Sequence, residues 1–259
     1  MDALQFNIEN GVAYFTLNRP DKYNSCNQGM ALAIQQRLKE CESDPEVRCI
    51  YITGSGKAFC AGQDLQEVVD KDNGLDIESI VADHYNPIVL KIRSIEKPVV
   101  AAVNGVAAGA GANLALCCDI VVAAKSSSFI QAFSKIGLIP DTGGTYFLPR
   151  LIGMQKATAL IMLGDKVSAD EAEKLGMIYK VFSDETFVAE SKALAEKLAA
   201  MPTRGLGLSK RALNYSTHND LETQLGIEEH LQTAAAHTED YNEGVSAFLE
   251  KRKADFKGA

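Results

Sequence analysis

Apolar and polar positions along the first two hundred residues fall into short blocks that switch between two periods. Residues 11–18, "GVAYFTLN", alternate with period two and predict a strand. Residues 27–43, "NQGMALAIQQRLKECES", space their apolar positions near the helical period, and Asp44-Pro45 closes the predicted helix. "VRCIYITGSG" (residues 47–56) is a near-continuous apolar run ended by glycines, the pattern of a strand covered on both faces. A helix is expected over residues 76–95, stopped by Lys97-Pro98, then a third strand at "PVVAAVNG" and a short buried helix over residues 109–118. "DIVVAAKSSSFIQAF" supplies one or two further strands. From Gly153 the pattern turns helical: "MQKATALIMLGD", then "SADEAEKLGM" with Ser168 and Glu171 at capping-box spacing, residues 185–200, and a long stretch to Lys257. There are no repeats, low-complexity tracts or linkers. The expected fold class is α/β, a layered core over residues 1–200 followed by a helical region over 201–259, with the boundary near Pro202.

Composition narrows the function classes. The chain has 259 residues and a net charge of −8, which argues against a general nucleic-acid binder or an anionic-membrane binder. The opening "MDALQFNIENGVAYFTLN" lacks a basic region followed by an apolar core, so no signal peptide is expected; no apolar run reaches the roughly 18 residues of a membrane span. The six cysteines (Cys26, Cys41, Cys49, Cys60, Cys117, Cys118) form no CxxC pair and no metal-ligand spacing with the four histidines. They are expected to be buried or free thiols of a cytoplasmic protein with no metal site.

The stretch with candidate chemistry is "VVAAVNGVAAGAGANLALCCD", residues 99–119. A strand that feeds a helix start exposes unpaired backbone N–H groups, and Gly and Ala there leave room for a ligand oxygen. Close packing of helix on sheet selects the same residues, so this stretch alone leaves both readings open. The spacing is not GxGxxG, because Gly109-x-Gly111 is followed by Leu114, and no acidic residue stands at the ribose-binding distance. "TGSGKAF" is not a phosphate loop, since Ala58 replaces the Ser or Thr that would hold magnesium. A second small-residue turn, "GKAFCAGQDL" at residues 56–65, also follows a strand, and two such turns aimed at one point would make an oxyanion hole.

"FCAGQDL" and, some forty residues later, "NGVAAGAGANLALCCD" together resemble the paired signature of the enoyl-CoA hydratase/isomerase (crotonase) superfamily. The resemblance continues through "LNRPDKYNS", "GLIPDTGGTYFLPRLIG" and "EGVSAFLEKRKADF", so it spans nearly the whole chain. It implies a spiral of repeated ββα units with a helical C-terminal trimerisation region, an acyl-CoA thioester substrate, and a homotrimer or dimer of trimers. Under the resemblance the oxyanion donors are the backbone N–H groups of Gln63 and Ala110. Coenzyme A, part of the substrate rather than a cofactor, would lie along Lys22, Tyr23, Ala61, Gln63, Asp64 and Leu65. Phe248 and Lys251 match C-terminal positions that reach a neighbouring subunit's CoA; a solvated amphipathic helix is the alternative for that tail. Gly109, Asn113 and Phe133 fall on substrate-side positions.

The carboxylates decide the reaction. Hydratases of the family use two glutamates, at positions that fall on Asn113 and Phe133 here, and neither transfers a proton as a carboxylate does. Asp141 remains, in "KIGLIPDTGG". Its local reading is a turn or helix N-cap residue; the resemblance instead matches it to the acid of a subset of isomerases, or to the nucleophile of aryl-CoA dehalogenases. A single base suits an isomerase, because the proton taken from one carbon is returned to another. Within the family "YNPIV", "AFSKIGLIPDTGGTYFLPR" and "GLGLSKRALN" are similar to isomerases of ring-bearing acyl groups, and Phe133, Ile136 and Leu138 suit a flat apolar substrate. His84 and Tyr85 are read as surface or helix-packing residues, with pocket-lining as the alternative. The rivals are a hydratase, a dehalogenase, a general enoyl-CoA isomerase and a non-catalytic acyl-CoA-binding relative; RNA binding, known in some relatives, is disfavoured by the negative charge and the lack of an aromatic–basic stripe.

Overall fold

Alternation along the strands sorts their side chains into two cores, one on each face of a central sheet. The computed structural model describes residues 2–69 and 76–259. Strands β1 (Leu4–Glu9) and β2 (Val12–Leu17) form an antiparallel hairpin. Its Asn10-Gly11 turn has φ of 51° and 75°, the mirror-image turn whose twist matches that of paired strands. Helix α1 (Gln28–Ser43) starts at Asn27, whose side chain accepts the Met30 N–H, and ends at Asp44. β3 (Cys49–Gly54) and β4 (Ala58–Cys60) lead to the short α2 (Gln66–Val69). α3 (Ile77–Ser79), capped by Asp76, continues through a wide π turn over Ile80–Tyr85 into α4 (Asn86–Ser94).

β5 (Val99–Val103) and β6 (Val106–Ala108) lead to α5 (Ala110–Leu116). β7 (Ile120–Ala124) and β8 (Ser128–Ile130) lead through a tight turn at Ala132–Ile136 to α6 (Gly144–Ile152) and α7 (Met154–Leu163). β9 (Lys166–Ser168), α8 (Ala169–Lys174), β10 (Lys180–Phe182) and α9 (Phe187–Ala199) follow. Ser168 caps α8 by accepting the Glu171 N–H, as its spacing predicts. α10 (Thr203–Ser216) begins directly after Pro202, and α11 (Leu221–Ala236) and α12 (Glu239–Glu250) complete the helical region.

The large sheet has the order β1-β2-β3-β5-β7-β10, parallel from β2 onward. Ala13, Phe15, Leu17, Ile50, Ile52, Val99, Ala101, Val103, Val121 and Ala123 face one core, shared with α1, α4 and α5. Their alternates, including Tyr14, Tyr51, Val100, Ala102 and Val122, face a second core closed by α9. Both faces are therefore dry, which is why these strands read as continuous apolar runs. The smaller sheet has the order β4-β6-β8-β9. Each large-sheet strand β3, β5 and β7 is followed by a small-sheet strand, β4, β6 and β8, before the chain turns helical. This is the repeated ββα unit that the resemblance implies.

The hairpin strand β1 escaped the periodicity reading, although Asn10-Gly11 was its signal. The small-sheet strands β4 and β6 have three residues each, too few for alternation to appear. All six cysteines are free and buried, as their spacing predicts. Arg48 holds the helical region to the core, donating to the Thr203 hydroxyl and to the Met201 and Phe256 carbonyls. Among the described residues no helix is long and apolar enough to cross a membrane.

Candidate active site

β4 and β6 are parallel neighbours, so their C-terminal ends, and the turns that follow them, lie side by side. The first turn is Ala61-Gly62-Gln63 and the second is Gly109-Ala110. Gly62 (φ 94°) and Gly109 (φ 53°) both take backbone conformations that side chains disfavour, each immediately before a candidate donor. A Cβ on Gly62 would lie 3.0 Å from the Ala108 carbonyl oxygen and 3.4 Å from the Ala110 nitrogen, so the two turns are in contact.

The direction of the Gln63 N–H follows from its neighbours. Cys26 N–H donates to the Gly62 carbonyl at 2.7 Å and Asp64 N–H donates to the Cys26 carbonyl at 2.8 Å, as a parallel bridge between Cys26 and Gln63. Backbone groups alternate sides along an extended chain, so the Gln63 N–H faces away from Cys26. Ala110 is the first residue of α5, where no intrahelical acceptor exists for its N–H. Among the described residues neither N–H donates to a protein acceptor. Gly111 serves a different need: a Cβ there would stand 2.2 Å from the Cys60 carbonyl oxygen, so it lets α5 press against β4. The packing reading therefore holds at Gly111, while Gly109 precedes an N–H, free among the described residues, of the kind the ligand-oxygen reading requires.

The Gln63 side chain is pinned at both ends. Its carbonyl oxygen accepts the Tyr85 hydroxyl at 3.0 Å and its NH2 donates to Glu67 at 3.1 Å. Tyr85, at the end of the π turn, is wholly buried, and burial holds its phenol well above the usual value, with Asp141 adding to the rise. Of the surface and helix-packing readings of Tyr85 and His84, helix packing holds, since both are buried, and Tyr85 in addition bonds to Gln63. A tyrosine on the apolar face of a helix gave no signal that it would meet Gln63.

Asp141 follows the third repeat. Its carboxylate accepts the Thr142 hydroxyl at 2.8 Å, and among the described residues it forms no ion pair. Burial raises its pKa above the ordinary carboxylate value, against the lowering effect of Thr142. The N-cap reading does not hold: Gly143, not Asp141, stands at the start of α6, with no side-chain cap. The Asp141 carbonyl accepts the Gly144 N–H and the Asn113 side-chain NH2, each at 2.9 Å. Asn113 lies on α5 one turn beyond Ala110, and so ties the acid to the helix that carries the second donor.

The other carboxylates near the turns are engaged. Asp64 pairs with Arg19 at 2.7 Å and accepts the Gln66 N–H; burial raises its pKa, but these bonds outweigh burial and hold it below the usual range. Glu67 accepts the first N–H of α1, from Gln28. Lys22 donates to Gln66, Tyr23 is exposed in a left-handed conformation with its carbonyl accepting the Ala61 N–H, and Leu65 is half-exposed. Lys22 and Tyr23 thus bond to residues at or near the first turn. Phe133 is buried and its ring lies 3.8 Å from where a Gly109 Cβ would be, whereas Ile136 and Leu138 are exposed. Phe248, near the end of α12, is 83% exposed, and Lys251 caps that helix; none of the site residues above bonds to either.

Paired turns at the ends of parallel strands offer two N–H donors to a ligand oxygen, and the buried Asp141 carboxyl, tied through Asn113 to the helix after the second turn, offers a proton acceptor. The family model for enoyl-CoA hydratase/isomerase matches residues 7–259, and the chain belongs to that family. It is 48% identical over 260 residues to the 1,2-epoxyphenylacetyl-CoA isomerase of Escherichia coli (strain K12), covering all of this chain and 99% of that protein. It is 34% identical over 258 residues to the 2,3-dehydroadipyl-CoA hydratase of the same organism, covering the whole of both. Among solved structures, an enoyl-CoA hydratase from Bacillus anthracis superposes with a TM-score of 0.92 at 32% identity, covering 99% of this chain and all of that one.

Proposed function

We propose that this protein is an acyl-CoA isomerase that uses Asp141 as its single base. The thioester oxygen binds between the N–H groups of Gln63 and Ala110. Asp141 takes a proton from the carbon next to the thioester carbonyl, and the electron pair moves onto the carbonyl oxygen as an enolate. The same carboxyl returns the proton farther along the conjugated system, so no external acid or redox cofactor is consumed. Each oxyanion donor is worth on the order of 10²–10³ in rate. A raised pKa suits the task, since a base whose pKa approaches the working pH transfers protons in both directions. The preferred substrate is ring 1,2-epoxyphenylacetyl-CoA, rearranged to the seven-membered oxepin, with double-bond shifts in enoyl-CoA esters as a second activity; the 48%-identical isomerase supports this choice. Lys22, Tyr23, Ala61, Asp64 and Leu65 flank the CoA, the Asp64 carboxylate acting through Arg19 rather than on the ligand. Phe248 and Lys251 complete a neighbouring subunit's site in a cytoplasmic trimer or dimer of trimers.

One observation carries the reading. Among the described residues the Asp141 carboxylate forms no ion pair and accepts only from its neighbour Thr142, whereas Asp64 pairs with Arg19 and Glu67 accepts from Gln28 and Gln63, and positions 113 and 133 hold Asn and Phe. The test is Asp141→Asn assayed on 3-enoyl-CoA esters and on the ring epoxide, with product analysis. Turnover is expected to fall about 10²–10⁴-fold while acyl-CoA binding stays within a few-fold. Retained turnover refutes the assignment. Hydration of crotonyl-CoA at a rate matching isomerisation favours the hydratase reading, which the 34%-identical dehydroadipyl-CoA hydratase supports.

A further inference from the structure

The Asp141 loop is held in a conformation its own residues disfavour. Thr142, which follows the acid, has φ of 52°, and a β-branched residue with positive φ is a genuine outlier. Gly143 continues in the left-handed region at φ 77°. Such a backbone persists only when its surroundings over-determine it. The surroundings here are a row of two buried side-chain amides. Gln131 NH2 donates to the Asn113 carbonyl oxygen at 2.8 Å, and Asn113 NH2 donates to the Asp141 main-chain carbonyl at 2.9 Å. Asn113 has no exposed surface and Gln131 is 3% exposed.

The orientation of this row is forced from one end. The Asp141 carbonyl accepts only, so Asn113 must present its NH2 there and its oxygen to Gln131, which must then present its own NH2. The Gln131 carbonyl oxygen is left buried with no partner, an arrangement that stability alone does not favour. The fit is tight on the far side as well: a Cβ on Gly144 would lie 2.2 Å from the Asn113 amide nitrogen. Asn113 therefore contacts the backbone on both sides of the strained pair, while its amide oxygen and nitrogen each bond inside the protein.

We propose that Asn113, seated by Gln131, is a positioning residue that clamps the main chain at Asp141 and so aims the carboxylate, and that it does not contact the ligand. This rests on the reading of Asp141 as the base and adds to it the device that holds the base in place. An acid displaced by about 1 Å loses about 100-fold in rate without any loss of ligand contacts.

The test measures kcat, acyl-CoA dissociation constant and crystal structure for Asn113→Leu, Gln131→Met and the double variant, with Asp141→Asn in parallel. Asn113→Leu is expected to lower kcat about 10- to 100-fold with binding within threefold, and Gln131→Met to lower kcat less. Because the two amides act in series, the double variant should be no slower than Asn113→Leu alone. In the Asn113→Leu crystal Thr142 should leave the positive-φ region. Unchanged kcat in Asn113→Leu, weakened binding at constant kcat, or additive losses overturn the proposal. If Asn113→Leu does not fold, Gln131→Met decides alone, and unchanged kcat there overturns it. Turnover retained by Asp141→Asn removes the base and not the clamp: Thr142 φ in the crystal then judges the clamp, and an unmoved Thr142 overturns it.

Discussion

Replacing Gly111 by alanine tests whether the contact of α5 with β4 aligns the two candidate donors. The added Cβ would sit 2.2 Å from the Cys60 carbonyl oxygen and 2.7 Å from the Cys60 carbonyl carbon and Cβ. Real Cβ contacts stay at or beyond 3.0 Å, so α5 must retreat from β4 by at least 0.8 Å, the difference between 3.0 and 2.2. The obstacle is main chain in a paired strand and cannot swing aside as a flexible side chain would. Ala110 moves with α5 and Gln63 stays with the β4 turn, so the two N–H groups part by about the same distance. A misplacement of about 1 Å costs on the order of 10² in rate, and overpacking of this kind costs about 1–3 kcal/mol of stability. The assay pairs thermal or urea unfolding with kcat on a 3-enoyl-CoA ester, at a temperature where the variant is fully folded. Gly226→Ala is the control: Gly226 lies exposed inside α11 with nothing within 4 Å of the added Cβ. It should gain up to about 1 kcal/mol and leave kcat unchanged. Full kcat in folded Gly111→Ala would refute the claim that this packing sets the donor geometry.

Two further expectations follow from the site. Tyr85→Phe leaves the Gln63 side-chain carbonyl without its donor, a loss of about 1 kcal/mol, so kcat should fall roughly 5- to 10-fold with binding little changed; an unaltered kcat would show that the side-chain anchor does not govern the turn. Asp141→Asn should stabilise the protein at neutral pH, because burial raises the acid's pKa and the folded state holds its proton more tightly than the unfolded chain. Below the ordinary carboxylate pKa both states are protonated and wild type and variant match, and as pH rises toward the raised folded value the wild type loses stability relative to the variant. Urea midpoints for both proteins between pH 4 and pH 8 check this, and a gap that closes on going to high pH would contradict it.

Much of the molecule was legible from its sequence. Asn27, Ser168 and the Asp44-Pro45 stop marked their helix ends because capping is a local hydrogen-bond requirement. The glycines of "FCAGQDL" and "NGVAAGAGAN" marked the two turns because positive φ and close approach are also local demands. Asp141 stood out by its turn and by the family motif around it. The bonds from Asn113 to the Asp141 carbonyl and from Tyr85 to Gln63 had no signal in the sequence.

The sequence by itself determined the two periodicities, the burial of the parallel strands on both faces, the turn glycines and the absence of carboxylates at positions 113 and 133. Only the tertiary structure decided that the turns bearing the Gln63 and Ala110 N–H groups touch, that Asp64 is paired with Arg19 while Asp141 has no ion pair among the described residues, and that Asn113 reaches the Asp141 carbonyl. The reason is physical: a cap or a turn is satisfied within a few residues, whereas a side chain's partner 22, 28 or 45 positions away depends on which strands lie side by side. That neighbour relation is set by burying whole strand faces, and no single stretch of the chain contains it.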